Sequence, residues 1–159
     1  MSRRGPWRDT PRQVTLAAAV LAAGLLATLL PGCMFFVERT DTTRVRLDRY
    51  YLTVEVADSA AEQARGLSGR PEPSDTEGML FVWEDAAPRS FTISSVPYDL
   101  DVIFIGEDGT INEILPLSPD GPRKAEGSQP SRYVVEVRGG WAQRFGVEVG
   151  HHFDLKAGP

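Results

Sequence analysis

The sequence predicts an all-β protein: a compact β-sandwich or barrel with two short helices, preceded by an apolar N-terminal helix. Seven or eight short strand-like segments, separated by glycine-containing turns, are typical of sandwiches and barrels. Strand–helix–strand spacing is not found, so a nucleotide-binding parallel sheet is not expected. A chain of 159 residues with 42% hydrophobic residues can bury one core of this kind.

The chain begins with a basic segment followed by a long uncharged run. Four arginines precede residues 13–37, which carry no charge. The centre of this run, residues 14–30, would form a helix about 25 Å long, close to the thickness of a bilayer core. We therefore divide the chain into a signal peptide or membrane anchor (1–37), a polar spacer (38–44) and a β-sandwich domain (45–159).

Two fates of the N-terminal segment fit the sequence. Residues 30–33, Leu-Pro-Gly-Cys, resemble a lipobox, in which Cys33 becomes the lipidated first residue after cleavage. Alternatively the apolar run stays as an uncleaved anchor, because it is long for a signal peptide. In both cases the arginines keep the N-terminus inside. The sequence thus predicts attachment to the cell membrane, with the β-domain facing outside.

The first elements of the β-domain follow from periodicity and capping. Apolar residues alternate with polar ones at 45–47 and 52–56, which predicts two half-buried strands. Ser59 and Glu62 have the spacing of a capping box, so a helix of about two turns should start there. Gly66 is expected to end that helix.

The remaining elements are mostly strands. A turn at Glu107-Asp108-Gly109 predicts a hairpin between two of them, and the proline- and glycine-rich residues 118–131 predict a loop. One helical turn is expected at 141–145. The predicted strands are 79–83, 90–93, 100–105, 110–115, 132–138 and one within 152–155.

Composition excludes several function classes. The acidic chain carries a formal net charge of -5, which argues against a nucleic-acid partner because phosphate repels such a surface. One cysteine cannot build a disulfide framework within the chain or a multi-cysteine metal site, and there are only two histidines. Dinucleotide- and phosphate-binding motifs are missing as well. No metal or cofactor is therefore predicted.

The only candidate for acid chemistry is a pair of carboxylates. Asp99 and Asp101 are two residues apart on a predicted strand, so their side chains would share a face about 6–7 Å apart. Such a pair can share a proton or hold a cation, and Arg89 could join it in a cleft. In the structural alternative, Asp99 belongs to a turn and Asp101 forms an ion pair with Arg89 across neighbouring strands.

Five segments, in this order, resemble the family catalogued as domain of unknown function 192. They are residues 62–67, 78–82, 100–105, 108–111 and 133–137, within a likeness that extends from about Leu52 to Leu155. The resemblance implies a jelly-roll-like β-sandwich, often found behind a signal peptide or lipobox, with no established activity. The residues that match the family are Arg65, Gly66, Leu67, Arg70, Gly78, Met79, Phe91, Asp101, Gly109 and Glu136.

The chain also departs from the family pattern. Ser68 replaces a common methionine, and Gly150-His151 replaces a common Gly-Asp. The family's Phe-Trp-Met-Lys-Asn-Thr is represented here by Phe91 followed by Thr-Ile-Ser-Ser-Val. If the lysine–asparagine part lines a functional site in relatives, this chain lacks part of that site.

These observations together predict a membrane-tethered, extracytoplasmic binding or accessory module of the cell envelope. One alternative is an extracytoplasmic hydrolase or transferase that uses Asp99 and Asp101 with Arg89. Another is a structural envelope protein.

Overall fold

The computed structural model describes residues 41–155, which form nine strands and two short helices. The predicted apolar helix, the N-terminal segment 1–37 and Cys33 lie outside the described residues. The elements are β1 (Thr42–Leu47), β2 (Tyr50–Ala57), α1 (Ala60–Arg65), β3 (Glu77–Ala87), β4 (Ser90–Thr92), β5 (Leu100–Ile105), β6 (Ile111–Leu117), β7 (Lys124–Glu126), β8 (Ser131–Arg138), α2 (Trp141–Phe145) and β9 (Phe153–Asp154).

Seven strands form one curled sheet, a half-barrel, in the order β6-β5-β8-β3-β2-β1-β9. β4 and β7 form a separate two-stranded sheet. The curl brings the segment before β9 against the β5–β6 hairpin, where Ile111 N–H donates to the carbonyl of His151 at 2.9 Å. The predicted fold class, mostly β with two short helices, is confirmed.

The α1 helix begins as its sequence predicts and makes an unexpected connection. The Ser59 hydroxyl accepts a hydrogen bond from the Glu62 backbone, and the Glu62 carboxylate accepts one from the Ser59 backbone, which completes the capping box. The helix then links β2 to β3, and these two strands pair in parallel. The prediction that the chain has no strand–helix–strand unit was therefore wrong. The helix is only six residues long, and the proline-rich segment that follows it hides the crossover spacing.

Alternate residues of the central strands belong to two separate buried clusters. The first core contains Leu80, Ile103 and Val135 and packs against Trp141 of α2. The second core lies beside the β4–β7 sheet, and its members include Phe81, Ile93, Leu100, Val102, Phe104, Leu117, Ala125 and Val134. Because both faces of the central strands are covered, these strands are apolar on both sides.

Several boundaries differ from the predictions. β1 begins at Thr42, inside the predicted spacer. β3 extends from Glu77 to Ala87 rather than 79–83, through a register irregularity between Val82 and Ala87, and β6 extends to Leu117 rather than 115. The predicted loop 118–131 contains β7, a strand of three residues whose pattern is too short to detect between its glycine and proline neighbours.

Candidate functional site

Asp101 holds the start of α2. Its side chain is 8% exposed, and its two carboxylate oxygens accept hydrogen bonds from the backbone N–H groups of Gly140 at 3.0 Å and Ala142 at 2.9 Å. The first N–H groups of a helix have no partner within the helix, and a carboxylate satisfies them well. Asp101 therefore has a structural role, since both oxygens are used within the fold.

Arg89 interacts with a different acid. Its guanidinium donates to the Asp85 carboxylate at 2.9 Å and to the Asp85 carbonyl at 2.8 Å. The central carbon of the Arg89 guanidinium also lies 4.4 Å from the centre of the Trp83 ring, which is a cation–π contact. The predicted ion pair between Arg89 and Asp101 is therefore wrong.

The two predicted partners lie near opposite ends of β8. Arg89 donates to the carbonyl of Ser131, the first residue of β8, whereas Leu100 pairs with Arg138, the last. Seven residues of strand span about 23 Å. Asp99 is exposed, and its carbonyl accepts a hydrogen bond from Gly139 N–H at 2.7 Å, at the Arg138 end of β8. The cleft predicted for a hydrolase or transferase, with Arg89 beside the two aspartates, is not formed.

A pocket lies instead where many of the family-matching residues meet. It has a volume of about 290 Å³ and opens between the end of α1 and the segment that contains β4. Its lining includes Gly66, Leu67, Phe81, Phe91, Leu100 and Glu136. Four of these six, Gly66, Leu67, Phe91 and Glu136, belong to the predicted family-matching set. The second core supplies the apolar part of the lining.

Glu136 is the most unusual residue of this pocket. It is 5% exposed and follows Val135, which belongs to the first core, so alternation along β8 directs Glu136 toward the second core together with Val134. No hydrogen bond joins its carboxyl group to any other residue in the described range 41–155. Burial raises the pKa of Glu136 from 4.5 to about 8, because the charged form loses its hydration. Its carboxyl is therefore mostly protonated at neutral pH.

Two of the family-matching glycines lie against Glu136. Gly66 has a φ of +50°, and a Cβ at this position would lie 3.7 Å from Glu136 Oε2 and 3.6 Å from Phe81 Cζ. At Gly78 a Cβ would lie 2.6 Å from the backbone oxygen of Glu136, so only glycine lets β3 approach β8 this closely. The first glycine leaves the space beside the carboxyl open, and the second fixes the strand that carries it.

Three aromatic rings line the pocket beside Glu136. The centres of the Phe81 and Phe91 rings are 4.9 Å apart, with the ring planes at 84°. The Trp83 ring is nearly parallel to Phe81, at 14° and 6.2 Å, and perpendicular to Phe91. Trp83 and Phe91 are only half-buried. The three rings therefore belong to the pocket lining as well as packing against the core.

The segment that departs from the family pattern lines the same pocket. Thr92, Ile93, Ser94 and Val96 all contribute to the lining. Ser94 occupies the position at which the family commonly has lysine, so this chain places a short neutral side chain there. The difference in sequence therefore falls on the pocket itself.

The other family-matching residues support the surroundings of the pocket or distant turns. Arg65 is exposed and lines the pocket, while Arg70 forms an ion pair with Glu55. The hydroxyl of Tyr98 lies 3.1 Å from the carbonyl oxygen of Arg70 and fixes that loop. Gly109, with a φ of +86°, makes the β5–β6 turn beside His152. Met79 belongs to the second core.

The sequence analysis identified Glu136 only as a family match. Within 132–138, Glu136 lies between Val135 and Val137, so strand alternation by itself directs it away from the face that these two valines share. The structure buries both faces because β8 lies between β5 and β3. The one sequence feature that pointed to burial of Glu136 was Val134, because it is an apolar residue on the same face of the strand.

The described residues provide neither the cluster of ligands that a metal site requires nor a helix able to span a membrane. Within residues 41–155, no three histidine, cysteine or acidic side chains are grouped so that they could hold a metal ion. The helices in this range are too short and too polar to cross a membrane.

The chain is similar to one protein family and to several solved structures. The model of the family DUF192, described as "Uncharacterized ACR", matches residues 42–155. A putative transcription regulator from Sinorhizobium meliloti 1021 is 30% identical, with a TM-score of 0.68, covering 72% of this chain and 94% of its own. A protein of unknown function from Novosphingobium aromaticivorans DSM 12444 is 29% identical, with a TM-score of 0.70, covering 74% and 88%. No curated protein matches the chain.

Proposed function

The chain belongs to the domain of unknown function 192 family, and because membership assigns no activity, we propose a function from the pocket. We infer that the β-domain is a binding module that takes up a small molecule. We further propose that the module is held at the outer face of the cell membrane.

The observation that carries the binding function is the buried carboxyl of Glu136. A polar group in an apolar site without a hydrogen-bond partner lowers the stability of the fold. Perturbed titratable groups that line a cavity are concentrated at functional sites. Glu136 combines near-complete burial, a raised pKa of about 8 and a position in a cavity of about 290 Å³. A ligand that bonds to this carboxyl would satisfy it.

The pocket favours binding over catalysis. General acid–base chemistry usually requires two groups whose pKa values differ and which flank the reacting bond. Among the described residues that line this pocket, Arg65 is the only ionisable side chain besides Glu136. Arginine keeps its charge and does not transfer protons. Glu136 therefore lacks a second proton-transfer group, which argues against an enzyme at this site.

One structural neighbour is described as a putative transcription regulator. We do not extend that description to this chain as a DNA-binding function. Phosphate contacts dominate affinity for DNA and require a basic surface, whereas this chain has a formal net charge of -5.

The membrane attachment is supported by the sequence of residues 1–37. Their basic start and uncharged run favour an N-inside orientation, and Cys33 in the Leu-Pro-Gly-Cys context favours lipidation. Mass spectrometry of the mature N-terminus should show a modified Cys33, and protease added to spheroplasts should digest the β-domain. An unmodified Cys33 behind an intact segment 1–32 would favour the retained anchor. Complete protection from protease would contradict the orientation.

The pocket is tested by screening small fragments against the intact chain in detergent, with ligand-observed NMR as the readout. Ser94 is exposed and lines the pocket, so Ser94→Trp should fill the cavity and abolish fragment binding. Ser95 is the exposed neighbour outside the lining, and Ser95→Trp is therefore the matched control, expected to bind fragments normally. Equal binding by both variants, or no binding by the unchanged chain, would contradict the proposed function.

A further inference from the structure

The buried carboxyl and the three aromatic rings together indicate what kind of ligand the pocket takes. The Phe81 and Phe91 rings meet at right angles, and Trp83 lies beside both while its ring also carries the Arg89 guanidinium at 4.4 Å. Glu136 and Phe81 line the same pocket, and a Cβ at Gly66 would lie within 3.7 Å of both side chains. Resting on the proposed binding function, we propose that the ligand is a small organic ammonium ion, held by the Glu136 carboxylate and the aromatic rings.

A cation is the ligand that satisfies Glu136 most fully. Hydrogen bonds and ion pairs to a charged carboxylate are roughly twice as strong as bonds between neutral groups, and burial strengthens them further. Aromatic faces attract cations through their quadrupole, and desolvated sites gain most from this attraction. A neutral ligand would form only a neutral hydrogen bond to the protonated carboxyl. An ammonium ion would use the carboxylate and the rings at once.

Arg65 does not reverse this preference. It lines the pocket, but it is exposed, so water and salt screen its charge. Glu136 is buried and is screened far less. An anionic ligand would have to lie close to the buried carboxyl of Glu136. The nearest positive charge on the lining that could stabilise it is the guanidinium of Arg65, which is exposed to water.

The size of the pocket limits the ligand. A cavity of about 290 Å³ lies at the lower end of the range of about 300–1,000 Å³ usual for small-molecule sites. An alkylammonium or a quaternary ammonium ion with a short chain fits this volume. The exposed residues Thr92 and Ser94 at the pocket leave room for a hydroxyl or a short polar tail.

Binding of an ammonium ion should release a proton. In the empty pocket at neutral pH, Glu136 carries its proton; the cation favours the carboxylate, and the proton passes to solvent. The other charged groups beside the pocket are the guanidinium of Arg65, on its lining, and that of Arg89, 4.4 Å from the centre of the Trp83 ring. Tyr98, whose pKa burial and then the charge of Glu136 raise above its usual 10, stays neutral. Glu136 is thus the group of this pocket that loses its proton around pH 8, and cation affinity should rise about tenfold per pH unit below that pH.

The inference is tested with three probes of the same shape and different charge. Choline is the cation, 3,3-dimethylbutan-1-ol its neutral carbon analogue and 3,3-dimethylbutanoate the anion; tetramethylammonium and butylammonium extend the cation set. Calorimetry on the intact chain in detergent, in buffers with different ionisation enthalpies, gives affinity and proton release. We expect at least one cation to bind at least tenfold more tightly than the alcohol at about pH 7.5, with release of close to one proton.

Two variants separate the contributions. Glu136→Gln keeps the shape of the neutral side chain and should abolish both the preference for cations and the pH dependence. Phe91→Leu keeps an apolar side chain without the ring and should weaken cation binding more than alcohol binding, which preserves a test if Glu136→Gln does not fold. Equal or tighter binding of the alcohol or the anion would overturn the cation inference and leave the binding function intact. Failure of every cation to bind, while other fragments bind in the Ser94-dependent manner, would also overturn it.

Discussion

Two buried carboxyl side chains on adjacent strands have opposite surroundings. Asp101 of β5 pairs in register with Val137 of β8, and the next residue along, Val102, pairs with Glu136. Because side chains alternate along a strand, the two acids point to opposite faces of the same sheet. Both oxygens of Asp101 accept backbone hydrogen bonds, whereas the carboxyl group of Glu136 has no hydrogen bond within residues 41–155.

The comparison shows that burial alone does not distinguish a structural acid from a functional one. Asp101 and Glu136 are 8% and 5% exposed, so their accessibility is nearly equal. The two residues differ in whether their carboxyl oxygens accept hydrogen bonds from other residues of the fold. Asp101 connects a strand to a helix, while Glu136 leaves its oxygens available at a cavity. From the sequence, Asp101 was a candidate for either acid chemistry or a structural ion pair. Its two backbone hydrogen bonds give it a structural role, and Glu136 becomes the candidate functional acid.

The largest effect is expected from Asp101→Ala. This change removes two charge-assisted hydrogen bonds and leaves the N–H groups of Gly140 and Ala142 without a partner, which should lower the free energy of unfolding by about 3–5 kcal/mol. Urea unfolding of the intact chain in detergent measures it. Asp99→Ala, at an exposed position two residues away, is the control and should cost less than about 0.5 kcal/mol. If Asp101→Ala and Asp99→Ala lowered the free energy of unfolding equally, the structural role assigned to Asp101 would be contradicted.

Glu136→Gln should raise the free energy of unfolding, whereas Asp101→Ala lowers it, and the size of the gain should depend on pH. The folded-state pKa of Glu136, about 8, lies above its ordinary value of 4.5, so the folded protein keeps the proton that the unfolded chain has lost. The stability contributed by this group is complete below about pH 4.5 and is lost as the pH rises through 8, by up to about 1.4 kcal/mol per pH unit. The glutamine variant has no such loss and should be more stable than the unchanged chain at about pH 9.

Urea unfolding of both proteins at several pH values isolates this term, because the other titrating groups contribute equally to both. Parallel pH profiles for the two proteins would show that the buried carboxyl of Glu136 is satisfied in solution. Glu136 and Asp101 would then both be acids whose oxygens are satisfied, and the difference drawn between them would be contradicted.

The smallest effect is expected for the coupling between Arg89 and Asp101, the predicted ion pair that the structure does not form. Arg89→Met and Asp101→Asn change sites near opposite ends of β8, about 20 Å apart, so their effects on unfolding free energy should add to within about 0.5 kcal/mol. Arg89→Met alone should cost about 1 kcal/mol, since its carboxylate partner Asp85 is exposed. A double-mutant cycle measures the coupling. A coupling above about 1 kcal/mol would restore the ion pair that the geometry contradicts.

Local sequence signals predicted much of the fold. The alternation in β1 and β2, the capping box at Ser59 and the turn at Gly109 depend on residues close in sequence, and each is confirmed. β7 and the parallel pairing of β2 with β3 were missed, because both depend on contacts between distant residues.

The candidate site could not be located by the same local reasoning. The prediction for Arg89 and Asp101 assumed that strands consecutive in sequence pair with each other, but β5 pairs with β6 and β8, and β4 pairs with β7. The role of Glu136 depends on β8 having strands on both sides and apolar side chains on both faces. A single strand pattern does not reveal which neighbours it will have. The family resemblance included Glu136 among its matches, but without a reason for its presence.

Residues 146–154, which follow α2 and end with β9, contact both β6 and β1 of the curled sheet. The Gly150 N–H donates to the carbonyl of Ile111 on β6, and Phe153 pairs with Leu47 of β1. Exposed edge strands offer free N–H and C=O groups to other chains and promote aggregation. This single short segment therefore protects two edges of the sheet at once. If copies of the protein are crowded together on a membrane surface, removing the residues after Glu148 would expose both edges and cause neighbouring copies to join edge to edge.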